Sequence, residues 1–241
     1  MKTVAFCALH YGATFLEASI RSVIDAVDQY VIVYTPAGSH GTRTSLPNPD
    51  TREELMRIAN RAAGSKLAWY EGEFYAENQH RDTIFQVAPD ADLIVVVDSD
   101  EVWKRDDLDT LISTATKGEA RNYLAYEMAF WRSFYRAMPD KLCAPVRAIN
   151  TRVPSGDQHV DVFFAHFGYA QPTAYIEYKM SLHGHRADWR PEWFAEKWQA
   201  NAQTDLHPTN RDFWNARPVN PFDYVPEFMK WHPLFDCEVI P

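Results

Sequence analysis

The chain has 241 residues, 46% of them hydrophobic, enough to bury one large core within the size range of a single α/β domain. A formal net charge of -9 excludes an overall basic field that would hold nucleic acid, and no stretch approaches the roughly 18 apolar residues needed to span a bilayer. Cys7, Cys143 and Cys237 are widely spaced, fit no zinc pattern and form an odd set, which excludes a disulfide framework and predicts a reduced, cytoplasmic setting. The opening MKTVAFCALHYG has too short an apolar run for a signal peptide and passes straight into a helix pattern.

In chain order, Val4 to Leu9 reads as a buried strand, and TFLEASIRSVIDAV after it carries Leu16, Ile20, Val23, Ile24 and Val27 at helical spacing. Thr14 and Glu17 form a capping-box pattern that predicts the start of this helix. A second strand, YVIVY at 30–34, completes a strand, helix, strand unit of the kind that builds parallel sheets. The stretch 35–50, TPAGSHGTRTSLPNPD, is too long for a simple connector and predicts a functional or mobile loop. A helix over Thr51 to Ala63 places Leu55, Ile58, Ala59 and Ala62 on one face and stops at Gly64. KLAWYEGEF then reads as a third strand and ENQHRDTIFQVAP as a helix closed by Pro89. LIVVV at 93–97 is apolar on both faces, as a central parallel strand must be. Beyond it, YLAYEMAFWRSFY at 123–135 and VDVFFAHFGYA at 160–170 predict aromatic-rich strands. Helical patterns return around IEYKMSL and PEWFAEKWQANA, and the tail from His207 is strewn with prolines and aromatics. No repeat, low-complexity block or charged linker divides the chain, so one domain is expected, an α/β fold with a central, mostly parallel sheet flanked by helices.

The LIVVV run ends in Asp98, Ser99, Asp100 and Glu101. Like charges this close depress stability unless something positive sits among them. Ligands bind open α/β sheets at the carboxyl ends of the strands, and two carboxylates one residue apart on a turning chain offer oxygen ligands to magnesium or manganese. Taken alone, Asp-x-Asp is a common string, and Asp106 and Asp107 just downstream suit the cap of the next helix.

Two strand-helix units, a third strand and then ENQHRDTIFQVAPDADLIVVVDSDEVW resemble the nucleotide-sugar-binding half of a Rossmann-like GT-A fold glycosyltransferase, most like family 2, over about residues 3–104. The resemblance implies a metal-dependent, inverting transfer of a sugar from a nucleoside diphosphate sugar, a UDP-sugar first among them, to a hydroxyl acceptor such as a glycan. It implies that Asp98 contacts ribose or metal, that Asp100 binds Mn2+ or Mg2+, and that Ser99 sits between them at the donor. The family's nucleotide pocket falls on LHYGAT and YTPAG, making His10, Tyr11 and Thr35 candidates for base or ribose contact. Many members carry an acid after the second strand, where this chain has Thr35 and Pro36. Arg81, on the helix before the motif, either faces the diphosphate or is an ordinary exposed arginine.

Residues 105–241 are then expected to supply the acceptor site. HFGYAQP at 166–172 and KMSLHGH at 179–185 gather three histidines and a lysine. In the resembling enzymes a histidine from this region often returns to the metal. His166, ending an apolar strand, suits that role, with His183 and His185 in reserve; the alternative is a strand histidine satisfied by a backbone carbonyl. An inverting transfer needs a general base for the acceptor hydroxyl, and Asp157, Asp161 and Glu101 are the candidates, with Glu177 behind them. Lys179 either pairs with phosphate or is merely solvated. The tryptophans at 189, 193, 198, 214 and 231 suit a sugar-stacking platform, but the helical spacing of Phe194 and Trp198 argues for core.

Rival classes remain open. VVVDSDEV also resembles the first motif of haloacid dehalogenase-like phosphatases, which use the first Asp as nucleophile and usually place the motif on their first strand. A non-catalytic carbohydrate-binding protein on the same fold is another. A nucleotidyltransferase would share the sheet but needs a Gly-rich, basic loop after the first strand, and LHYGATFLEAS has one glycine and no lysine.

Overall fold

In the computed structural model, which describes residues 1–39, 43–138, 144–182, 193–199, 205–206, 213–214 and 216–238, the first half of the chain alternates strands and helices. Along it run β1 (Thr3–Leu9), α1 (Ala13–Val23), β2 (Gln29–Tyr34), α2 (Arg52–Ala63), β3 (Leu67–Glu71), α3 (Glu77–Asp82), α4 (Ile84–Val87) and β4 (Leu93–Val96). The second half continues with β5 (Glu101–Trp103), α5 (Arg105–Lys117), β6 (Asn122–Trp131), β7 (Arg136–Met138), β8 (Val146–Asn150), β9 (Asp157–Tyr169) and α6 (Thr173–Leu182).

The strands β3-β2-β1-β4 lie parallel in that order. Period-2 alternation divides their side chains between two cores. Ala5, Cys7, Leu9, Ile32 and Val95 face Leu16 and Ile20 of α1, Leu55 and Ile58 of α2, and Leu108 and Leu111 of α5. Val4, Phe6, Val31, Val33, Ile94 and Val96 face the other side, against Ile84 of α4 and Ala88 after it. Each fully buried Val or Ile contributes roughly 1.5–3 kcal/mol as an upper estimate, so the parallel centre of this Rossmann-like α/β sheet is its most strongly specified part.

Past β4 the strands reverse. β8 pairs antiparallel with β4, and β6 antiparallel with β8. Two reversals restore the direction of β4, and β9 runs parallel to β6. The carboxyl ends of β1, β4, β6 and β9 and the beginning of β8 therefore meet along one edge of the sheet. β5 pairs antiparallel with the late part of β9, setting Glu101 opposite His166.

Two local expectations are corrected. α1 starts at Ala13 behind Gly12, and Thr14 and Glu17 form no capping box; instead the Gly12 and Ala13 amides donate to the carboxylate of Asp50, at 2.6 and 2.9 Å. Glu17 is drawn away to Arg61 on α2. Asp106 and Asp107 fall in the first turn of α5, where their charge suits the helix dipole, but Lys104 holds the cap position and neither acid makes a capping hydrogen bond. Elsewhere the helix ends follow the letters: Thr51 caps α2 through the Glu54 amide, and Gly64, at φ 55°, ends it.

Trp193 and Trp198 are buried against Trp131 and Tyr169, with Phe194 packed on them, so these tryptophans are core, whereas Trp231 is exposed. Within the described residues the PEWFAEKWQANA pattern forms one π-helical turn, Phe194–Gln199. Cys143, His183, His185, Trp189 and the side chain of Trp214 lie outside the described residues. Cys7 and Cys237 are free thiols, and among the described residues no helix is long and apolar enough to cross a membrane.

Candidate functional site

In the order β3-β2-β1-β4 the chain builds outward from β1 and then returns to its other side, so the strand order switches between β1 and β4. A crevice opens outside the carboxyl ends of the strands at such a point. Here it is bounded by residues 10–12 after β1 and 97–101 after β4. The two loops are pressed together: Ser99 Oγ donates to the Tyr11 carbonyl at 3.1 Å and Ser19 Oγ to the Asp98 carbonyl at 2.9 Å. Gly12 has φ 131°, and a Cβ built on it would lie 2.2 Å from Ser99 Oγ. Only glycine permits that approach.

The clustered acids are matched by cations from distant elements. Arg81 of α3 meets Asp98 with both guanidinium nitrogens, at 3.1 and 3.2 Å. Arg147, at the beginning of antiparallel β8, is buried; it donates to Glu101 Oε1, lies 3.7 Å from Asp98 and stacks over Phe164. Burial alone would raise the Asp98 carboxyl, but Arg81 and then Arg147 hold it below the usual carboxylate range. Glu101 is 1% exposed, and its Oε2 accepts the Asp98 amide at 3.0 Å. Burial pushes its carboxyl up to about 8 against the pull of Arg147.

Asp100 is served by a second set. Gln171 Nε2 donates to its Oδ2 at 3.2 Å, and the same oxygen lies 3.5 Å from His166 Nε2 and 3.8 Å from Lys179 Nζ. The amide oxygen of Gln171 is buried there without a hydrogen-bond partner among the described residues. His166 and Lys179 hold Asp100 well below the carboxylate range in spite of its burial. The other ring nitrogen of His166, Nδ1, lies 2.5 Å from Glu127 Oε1 on β6. Burial favours the neutral ring, yet Glu127 and Asp100 together push His166 up to about 10.

The sequence candidates divide on this frame. Asp98, Ser99, Asp100, Arg81, His166 and Tyr11 come together at the crevice. His10 adjoins them but is engaged: its Nδ1 lies 2.8 Å from the Thr35 carbonyl, which can only accept, so Nε2 accepts from the Tyr178 hydroxyl at 2.9 Å. Thr35 is fully buried with its hydroxyl on the Ala37 carbonyl, which removes it from ligand contact. Asp157 starts β9 and accepts from Asn122; at a rise of about 3.3 Å per residue it lies ~30 Å along the strand from His166, on the opposite edge of the sheet. Asp161 is exposed and about 16 Å along the same strand. Glu101 lies beneath the turn, locked to Arg147, and Glu177 is exposed on α6. Asp157 and Asp161 thus lie away from the crevice, and Glu101 has no free carboxylate to present to it.

Asp98, Asp100 and His166 do not form one ligand set. Both oxygens of Asp98 face Arg81, and among the described residues no group of three or more His, Cys, Asp or Glu side chains is arranged to hold a metal ion. Asp100 and His166 alone do fit a nucleotide-borne divalent ion. Such ions take one or two protein ligands plus phosphate oxygens, and neighbouring ligands on an octahedral ion at 2.0–2.1 Å lie about 3 Å apart, close to the 3.5 Å between Asp100 Oδ2 and His166 Nε2.

Sequence reasoning missed Glu127, Arg147, Gln171 and Asp50. The first two carried a signal, a lone charge inside an apolar strand pattern. Asp50, which also accepts from the Tyr175 hydroxyl, and Gln171 carried none.

The sequence matches no family model and no curated protein. Many solved structures are similar, three of them at the following low identities. HddC from Yersinia pseudotuberculosis is 11% identical, with TM-score 0.42, over 73% of this chain and 97% of that one. The inositol-1-phosphate CTP transferase from T. maritima is 8% identical, with TM-score 0.41, over 69% of this chain and 89% of that one. The glucosyl-3-phosphoglycerate synthase from Mycobacterium tuberculosis, in complex with Mn2+, uridine diphosphate and phosphoglyceric acid, is 16% identical, with TM-score 0.32, over 54% of this chain and 43% of that one. This chain thus spans less than half of the synthase, and at these scores the functional reading rests on its own residues.

Proposed function

We propose that the chain is a glycosyltransferase that binds a nucleoside diphosphate sugar, a UDP-sugar first among the donors, in the crevice between β1 and β4 and passes the sugar to a hydroxyl acceptor such as a glycan. The observation that carries this reading is the facing pair Asp100 and His166 at the switch point, with Lys179 3.8 Å from the same Asp100 oxygen. Asp100 and His166 would hold Mn2+ or Mg2+ together with the donor phosphates. Bound there, the ion supplies Lewis-acid stabilisation of charge on the departing diphosphate. Lys179 offers its ammonium to the same phosphates, and Arg81 keeps the Asp98–Asp100 turn in place through its two-pronged contact. Tyr11, edge-on to Tyr178 at 5.3 Å, lines the crevice from the β1 side.

The rival chemistries fit these residues less well. A phosphatase nucleophile must present a free carboxylate oxygen, and both Asp98 oxygens are engaged by Arg81. A triphosphate cradled at the start of α1 would meet the Asp50 carboxylate already seated on the Gly12 and Ala13 amides. Calorimetric titration with UDP, GDP and their sugar conjugates, with and without Mn2+, tests the reading. Expected is Mn2+-dependent binding of one nucleotide, abolished by Asp100→Asn and only weakened by Asp98→Asn. Absence of nucleotide binding under every metal condition would overturn it and bring the non-catalytic alternative forward.

A further inference from the structure

We infer that Glu127 is the positioning residue of this site, fixing the His166 ring in the tautomer and orientation that turn Nε2 toward Asp100. The inference rests on the reading just proposed and adds to it a group that touches neither donor nor ion.

The sheet register explains why this acid reaches that ring. β6 and β9 run parallel, with Ala129 opposite His166 and Glu127 opposite Phe164. Residues two apart on a strand share a face, so Glu127 is the diagonal neighbour of His166, a separation of about 7–8 Å between backbones that a long side chain spans. The side chain directly opposite is only a methyl group, Ala129, which leaves room for the carboxylate to cross. Its Oε1 reaches Nδ1 at 2.5 Å, and the two side chains are 16% and 19% exposed. A carboxylate oxygen is an acceptor, so it keeps the proton on Nδ1, and Nε2 is the nitrogen that gives up its proton when it takes a ligand. Nε2 is the nitrogen that faces Asp100. A histidine that ligates a metal nearly always has its second nitrogen tied down in this way, and loss of the tie weakens metal binding 10–100-fold.

A merely structural ion pair between β6 and β9 would affect folding but leave the ion's affinity and the ring's tautomer unchanged. Mn2+ binding in the presence of UDP, followed by electron paramagnetic resonance, distinguishes the two in the parent chain, E127Q, E127L and H166A. The expected result is a 10–100-fold loss of Mn2+ affinity in E127Q, a larger loss in E127L, and the largest in H166A. Because E127L strips a buried ring of its partner and risks misfolding, a second measurement uses the parent chain alone: 15N-histidine spectra of the Mg2+ and UDP complex should show His166 protonated on Nδ1. Equal Mn2+ affinity in the parent and E127Q, or a ring protonated on Nε2, overturns the inference while H166A still loses the ion. If H166A and the parent bind Mn2+ alike, the site reading itself fails, and that result is separate from the first.

Discussion

Arg147→Met tests whether Glu101 is a buried anchor or a catalytic base. The substitution withdraws a guanidinium that is 7% exposed from a carboxylate that is 2% exposed, while a thioether of similar reach keeps Phe164 covered. Deleting one partner of a buried pair costs about 3–5 kcal/mol when the other charge is left uncompensated, and the lower end is expected here because Glu101, already pushed up to about 8, takes up a proton instead. Asp98 also loses its 3.7 Å contact but keeps Arg81 and is partly exposed, so it adds less than about 1 kcal/mol. For a domain of this size a total of about 3–4 kcal/mol lowers Tm by roughly 6–16 °C. The double variant Arg147→Met/Glu101→Leu removes both charges and should recover most of the loss. It should remain about 1 kcal/mol short of the parent, because Glu101 also accepts the Asp98 amide. Urea denaturation of the parent, both single variants and the double closes the cycle. A catalytic Glu101 predicts a different pattern, in which Glu101→Gln keeps its stability and loses about 10²–10⁴ in turnover. A single-variant cost below about 1 kcal/mol, or additivity in the cycle, would refute the anchoring argument.

Gly12→Ala combines a left-handed backbone position with a Cβ 2.2 Å from Ser99 Oγ, so it should cost about 2–4 kcal/mol in urea; a loss under about 1 kcal/mol means that the two loops do not approach this closely. Asp50→Ala strips the acceptor from the start of α1 and from the Tyr175 hydroxyl, an expected loss of about 2–3 kcal/mol, and a neutral result in the same assay rejects the remote cap. His232 stacks on Phe15 with ring centroids 4.4 Å apart, and burial holds it below the ordinary histidine range, so the unfolded chain takes up its proton first. Its contribution is complete above about pH 6.5 and is lost as pH falls through the depressed folded value. The urea midpoint of the parent should therefore decline on acidification, and His232→Phe, which keeps the stack, should flatten that decline; identical slopes would exclude His232 as the cause.

The features legible in the sequence are those governed by neighbours along the chain. LIVVV, apolar on both faces, required a covered parallel strand, and the acids after it required a strand-end position. The capping-box letters Thr14 and Glu17 misled because a stronger acceptor, Asp50, arrives from 38 positions away, and a local pattern cannot reveal a competitor that only the fold delivers. The same holds for the site. The Arg147 to Glu101 contact spans 46 positions and the His166 to Glu127 contact 39, and neither pairing follows from any periodicity. What the letters did carry was one unpaired-looking charge in each of two apolar strands, Glu127 within YLAYEMAFW and Arg147 within PVRAIN. A charge at a buried strand position is costly unless it is matched, so such a residue marks a partner elsewhere in the chain.

The repulsion expected among the acids is thereby resolved without a metal being needed for folding. Asp98, Asp100, Glu101 and Glu127 face Arg81, Arg147, His166 and Lys179, supplied by α3, β8, β9 and α6. Arg81 and Arg147 are committed to Asp98 and Glu101, which fastens the turn to the sheet. His166 and Lys179 converge on one oxygen of Asp100 at 3.5 and 3.8 Å, longer than charge-assisted hydrogen bonds. The tightly made half of the cluster is thus the half that supports the turn, and the loosely made half is the half that faces the crevice. A ligand at Asp100 has to compete with these loose contacts and with one neutral hydrogen bond, from Gln171 at 3.2 Å, and leaves the arginine contacts that fasten the turn in place, which is the division of labour that a site needs if binding is not to cost the fold.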